Sequence, residues 1–117
     1  MRLWSGVYME WQVETSTSAL IARPIGKIDE TTWEVFQARL LEAVNTAAAA
    51  SLPLILDLSQ LDYMSSRGLR VLKIAKDAAG AGAPIILAAP NDRMRQIIEI
   101  SRYDMLFKVV ADVASAV

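Results

Sequence analysis

From residue 54 onward, short apolar runs alternate with helical stripes, and this alternation constrains the fold more than any other feature of the chain. Leu54 to Leu58 (Leu-Ile-Leu-Asp-Leu) is the run expected of a central strand buried on both faces. Val71, Leu72, Ala75, Ala78 and Ala79 then carry a helical stripe, stopped by Gly80-Ala81-Gly82, residues suited to a left-handed cap. Ile85 to Ala88 is a further apolar strand. Pro90-Asn91 opens a helix with Met94, Ile97, Ile98 and Ser101 on one face. Phe107 to Val110 is the last strand, and Asp112 is placed to cap a short terminal helix. Strands and helices in this order demand a mostly parallel sheet with right-handed crossovers.

The first half begins differently. Residues 1–7 read as a loose extension. Tyr8 to Glu14 alternates and is rich in aromatic and β-branched types, and Ala19 to Pro24 reads as a second strand. Between them Thr15-Ser16-Thr17-Ser18 is a polar turn cluster, so the two runs form a hairpin. Pro24 fits an edge or a strand end, and Gly26 ends the segment. A helix follows, capped by Asp29 or by Thr31, the latter with Glu34 as a capping box. Trp33, Phe36, Leu40, Leu41 and Val44 share one helical face. The predicted order is β-β-α-β-α-β-α-β-α. This is an α/β domain with an antiparallel hairpin at one edge of an otherwise mostly parallel sheet, and helices mainly on one side.

With 117 residues, the span 1–117 reads as one domain. It contains neither cysteine nor histidine. Disulfides and thiolate chemistry are therefore excluded, and so are the commonest general base and metal ligand. Twelve basic residues against thirteen acidic ones give a net charge of -1, without the basic surplus that nucleic-acid binding usually needs. The longest apolar run, Ala47 to Leu56, is interrupted by Ser51 and Pro53 and is far shorter than the ~20 residues of a membrane span. The expectations are no direct membrane insertion, no cofactor, no metal and a cytoplasmic location.

Ser65-Ser66 stands where the second helix starts. Serine there is an ordinary capping choice. The same place offers free backbone N–H groups and the positive end of the helix dipole, so a serine in the first turn can carry a phosphate without breaking the helix. Arg67 and Arg70 stand within reach as ion partners.

Leu56-Asp57-Leu58, followed by Leu61-Asp62-Tyr63-Met64-Ser65-Ser66-Arg67-Gly68-Leu69-Arg70-Val71-Leu72, resembles the signature of the STAS family. Its best-known members are bacterial anti-sigma factor antagonists. Ile25-Gly26-Lys27-Ile28-Asp29 resembles the family's Gly-x-Leu-Asp turn, and Leu106-Phe107-Lys108-Val109-Val110 its closing strand. The resemblance covers about residues 9–117. It implies a STAS-like fold and a non-enzymatic module controlled by phosphorylation of the serine before x-Gly-Leu, here Ser66. The implied partner is an anti-sigma factor of the serine-kinase type, bound by the unphosphorylated form, with a separate phosphatase reversing the modification. ATP belongs to that partner. Asp29, Met64, Ser65, Arg67, Gly68 and Arg70 are the implied partner contacts. Two positions depart from the family pattern. Ser65 replaces a frequent aspartate, and Arg67 replaces a small residue, which bears on kinase recognition or phosphate retention.

Other features read more plainly. Asp57 at a strand end resembles the phosphoacceptor of a receiver domain. However, the opening hairpin offers no acidic pair, and bonding to local loop amides is the simpler reading. Asp29-Glu30 is a carboxylate pair at a helix start, where such residues answer the dipole. Gly80-Ala81-Gly82-Ala83 follows a helix instead of leading into one, opposite to a phosphate cradle. Trp4, Trp11 and Trp33 lack basic interleaving, so base stacking is not indicated, and Trp33 reads as core. Three rival functions remain open at this level: a scaffold or stressosome-like subunit in which Ser66 is only a cap, an accessory subunit of a membrane transporter, and an enzyme with a carboxylate-only site.

Overall fold

The computed structural model describes residues 9–80 and 84–117. The expected loose start and the Ala81-Gly82 part of the helix stop lie outside them. Ser16 closes the first turn. Its Oγ accepts the amide N–H groups of Ser18 and Ala19 at 3.2 and 3.1 Å. The turn joins β1 (Met9–Thr15) to β2 (Leu20–Ile28) in an antiparallel hairpin with Thr15 opposite Leu20.

β2 runs through both Pro24 and Gly26, where the sequence predicts an end. The amides of Leu20 and Gly26 donate away from β1, to the carbonyls of Pro53 and Gln60. Every second residue of a strand points the same way, so the N–H that Pro24 lacks would also point there. On that side β2 pairs with one neighbour through Ala22 and with another from Gly26 onward. Pro24 falls in the gap between them and costs no ladder bond. Gly26, at φ 108, sits at a register shift and bends the strand instead of ending it.

The remaining elements follow in order: α1 (Trp33–Ala50), β3 (Leu54–Asp57), β4 (Leu61–Met64), α2 (Ser66–Ala79), β5 (Ile85–Ala88), α3 (Asp92–Ile100), a 3-10 turn (Tyr103–Met105) and β6 (Lys108–Val110). The sheet order is β1-β2-β3-β5-β6, with β4 beside the far half of β2. All pairings except β1–β2 are parallel. β3 is central and wholly buried, as its apolar run predicts.

α1 begins later than either expected cap, one residue past Thr31 and three past Asp29. Thr32 is its N-cap residue, and no Thr31–Glu34 capping box forms. The Thr32 hydroxyl instead donates to the Lys27 carbonyl and accepts the Asp29 amide, both at 2.9 Å. α2 is capped by Ser65 and ends at Gly80, whose φ of 63 suits a glycine, but whose ψ of -158 is not that of the left-handed cap expected there. Asn91 caps α3 by accepting the Met94 amide at 2.8 Å. Asp112 does not start a helix. It accepts the Ser115 amide and hydroxyl at 2.8 and 2.7 Å and closes a turn.

Alternate strand residues face two cores. Leu20, Ala22, Leu54, Leu56 and Leu87 join Phe36, Leu40, Leu72, Met94 and Ile98, so all three helices contribute to one core. Ala19, Ile21, Ile55 and Ala88 form a smaller cluster on the opposite face, against Val110, Val113 and Ala116. The expected helices on one side are observed.

Candidate functional site

β4 was not foreseen, and it is the element that aims the site. Leu61 and Met64 are buried while Asp62 and Tyr63 are exposed, because β4 skips a residue in its register with β2. The bulge destroys the period of two by which a strand is read from sequence. β4 delivers the chain to the N-terminus of α2. There the Ser65 amide donates to the Ile28 carbonyl at 2.8 Å, tying this loop to the end of β2.

The two serines separate into distinct roles. Ser65 has extended backbone, and its Oγ accepts the Gly68 amide at 3.4 Å, which is the N-cap bond. Ser66 is the first helical residue and is exposed. Among the described residues its hydroxyl has no hydrogen-bond partner. The cap and the candidate acceptor are therefore different residues.

Two expected partner contacts point inward. Met64 is 1% exposed and belongs to the main core. Gly68 is buried as well, and a Cβ there would collide with Met64 Cγ and lie 2.8 Å from Ile28 Cγ2. Its φ is not positive, so the glycine serves a close approach between α2 and the ends of β2 and β4. Both residues position the surface and present none of it.

Asp29, Ser65, Arg67 and Arg70 stay at or near the surface around Ser66. Asp29 Oδ1 accepts the Thr31 hydroxyl and amide at 2.7 and 2.9 Å. These two bonds hold its carboxyl below the usual carboxylate range. Arg67 reaches back to α1: its Nε lies 3.3 Å from Glu30 Oε2, and its guanidinium sits 5.1 Å from the Trp33 ring centre. Trp33 is thus half-buried beneath a cation and does not lie wholly in the core. Arg70 is exposed and, among the described residues, has no ion-pair, hydrogen-bond or ring partner.

A groove between α1 and α2 runs beside these groups, lined by Trp33, Gln37, Ser66, Arg67, Arg70 and Ile74. Gln37 and Ile74 were not singled out from the sequence, although a signal existed. Gln37 is one turn after Trp33 and Ile74 one turn after Arg70, and Ile74 is an apolar residue outside the buried stripe of Val71, Leu72 and Ala75.

Asp57 is engaged elsewhere. Its Oδ1 accepts the Ser59 amide at 3.0 Å, as a strand-end aspartate was expected to do, and its Oδ2 accepts Arg23 Nε at 2.8 Å. Burial acts to raise its pKa, but the Ser59 and Arg23 hydrogen bonds outweigh it and hold the carboxyl below the usual range. Among the described residues no cluster of three or more acidic side chains is placed to hold a metal, and no helix is long and apolar enough to cross a membrane.

Residues 10–116 match the sequence profile of the STAS domain. The chain belongs to the STAS domain family. Over 102 residues it is 30% identical to BtrV of Bordetella bronchiseptica, whose name places that protein among the anti-sigma factor antagonists; the match covers 86% of this chain and 85% of the relative. The fold of this STAS domain is similar to that of an anti-sigma factor antagonist from Mycobacterium paratuberculosis (TM-score 0.78, 23% identity, covering 97% and 95% of the two chains). It is also similar to SpoIIAA of Bacillus in its phosphorylated form (TM-score 0.63, 21% identity, covering 92% and 96%).

Proposed function

We propose that this STAS domain is an anti-sigma factor antagonist that acts by binding and not by catalysis. The unphosphorylated form holds an anti-sigma factor of the serine-kinase type in the cytoplasm and so frees a sigma factor for transcription. The partner ends the association by transferring the γ-phosphoryl group of its own ATP to Ser66. An O–P bond forms at Oγ, ADP leaves, and a base of the kinase takes the hydroxyl proton. A separate phosphatase hydrolyses the ester.

One observation carries this reading. Ser65 makes the cap bond and leaves the Ser66 hydroxyl exposed and unpartnered at the N-terminus of α2. A serine needed only as a cap would be hydrogen-bonded, as Ser65 is. The N-terminus of a helix tolerates the added charge. Further support comes from the name of the relative at 30% identity, and from the absence of histidine and cysteine for catalysis. Incubating the chain with ATP and a kinase-type anti-sigma factor encoded beside it, then mapping the product by mass spectrometry, tests the reading. One phosphate is expected, on Ser66, and an unmodified Ser66 contradicts it.

A further inference from the structure

Two arginines flank Ser66, and the structure separates them. Arg67 is the next residue, about 100° away around the helix axis, and neighbouring side chains on a helix do not face each other. It is also drawn toward α1 by Glu30 and the Trp33 ring. A phosphate on Ser66 would have to compete with both for it. Arg70 is one turn on, at the i+4 position whose side chain meets that of residue i. Like Arg67 it lines the groove beside Ser66, but it has no partner to give up among the described residues.

We propose that Arg70 is the intramolecular counter-ion of phosphorylated Ser66, drawing the phosphate over the groove between α1 and α2. This rests on the phosphorylation of Ser66 proposed above. A guanidinium offers two parallel N–H donors to two phosphate oxygens, a fit that a single hydroxyl cannot match. The charge of the groove then reverses. With Arg67 offset by Glu30, Arg70 leaves the unphosphorylated groove at about +1. A phosphate of about -1.5 to -2 brings it to about -0.5 to -1. A partner segment that places an acidic group on Arg70 and apolar groups against Trp33 and Ile74 loses its cation and meets repulsion in one event. The switch is thus completed within this chain.

The test uses the full chain with phosphoserine installed at position 66 during synthesis, followed by phosphorus NMR across the second ionisation of the phosphate. The helix terminus lowers that ionisation in every variant, so the comparison between variants reads the arginine alone. In the parent, the phosphate is expected to titrate about half a unit below the same group in Arg70→Ala. The difference should shrink near 1 M salt. Arg70→Lys should keep part of it, and Arg67→Ala should leave it in place. Equal titration of the parent and Arg70→Ala overturns the proposal, and so does loss of the difference in Arg67→Ala. Because the phosphate is built in, no kinase is required. A kinase that leaves Ser66 unmodified on the ordinary chain contradicts the functional reading and does not alter this result.

Discussion

The Ser65 amide and the Ile28 carbonyl are joined at 2.8 Å, so the residue before the candidate acceptor is fastened to the last residue of β2. Ile28 also lies under Gly68, one turn further along. The exposed serine therefore stands on a rigid base made of two buried strand ends, and a mobile loop has no part in presenting it.

Gly68→Ala tests that base. Overpacking costs about 1–3 kcal/mol, and the helix propensity of alanine returns up to about 1 kcal/mol. Steric conflict wins here, because Met64 Cγ and Ile28 Cγ2 are near the backbone and cannot swing aside as a flexible chain end would. Denaturant unfolding should show a net loss of about 1–2 kcal/mol. A variant as stable as the parent would mean that α2 is not seated this closely.

Leu72 and Lys73 are neighbours on α2 with opposite environments: Leu72 is 1% exposed and in the main core, and Lys73 is exposed. Leu72→Ala should cost roughly 2–5 kcal/mol through lost burial and the cavity left behind. Lys73→Ala should change stability by less than about 0.5 kcal/mol. Thermal unfolding of the pair is sufficient, and similar losses would place the wrong face of α2 inward.

Arg23 and Asp57 set an acid limit. The folded Asp57 carboxyl titrates below the ordinary value, so it binds fewer protons than in the unfolded chain. Its contribution is complete above the unfolded value of about 3.9 and is lost as pH falls from there through the lower folded value. Melting temperature should drop over that window, and Asp57→Asn should flatten the drop while being less stable at neutral pH. An unchanged acid profile in Asp57→Asn would show that other carboxylates, such as Asp29 with its Thr31 bonds, dominate.

Much of the architecture was legible because local chemistry and global fold agree. The Thr15–Ser18 cluster turns the hairpin, Leu54–Leu58 holds the central strand, and the stripe through Val71, Leu72 and Ala75 gives α2. The misreadings have one cause, which is that tertiary pairing replaced a local rule. Pro24 sits inside a strand because its missing N–H meets a gap between β3 and β4. β4 hides its alternation behind a bulge. Thr32 starts α1 because its hydroxyl bridges Lys27 and Asp29, which only the folded loop brings together.

The site was legible in part. The Ser65-Ser66 pair was visible, but only the folded helix shows which serine caps and which is free. Met64 and Gly68 carry the family pattern for packing reasons, and sequence alone does not separate such positions from surface ones. The attachment of Arg67 to Glu30 and Trp33 joins the starts of two helices that are distant in sequence, and no spacing rule reports it.

Ser66 is proposed to switch binding at the surface and to leave the fold intact, and magnitudes decide how. A negative group at a helix N-terminus is favoured by about 0.3–1 kcal/mol in exposed settings, so it does not unfold the domain. At a docked interface the negative charge left over once Arg70 is paired must lose its water while the partner also loses Arg70; such losses amount to several kcal/mol, and about 4 kcal/mol is roughly a thousandfold in affinity. The most direct measurement is titration calorimetry of the parent and Ser66→Asp against the cognate anti-sigma factor, with a thermal melt of each. Melting points within a few degrees of each other are expected, with affinity weakened by about a thousandfold in Ser66→Asp. Binding of Ser66→Asp as tight as the parent's would contradict this switch.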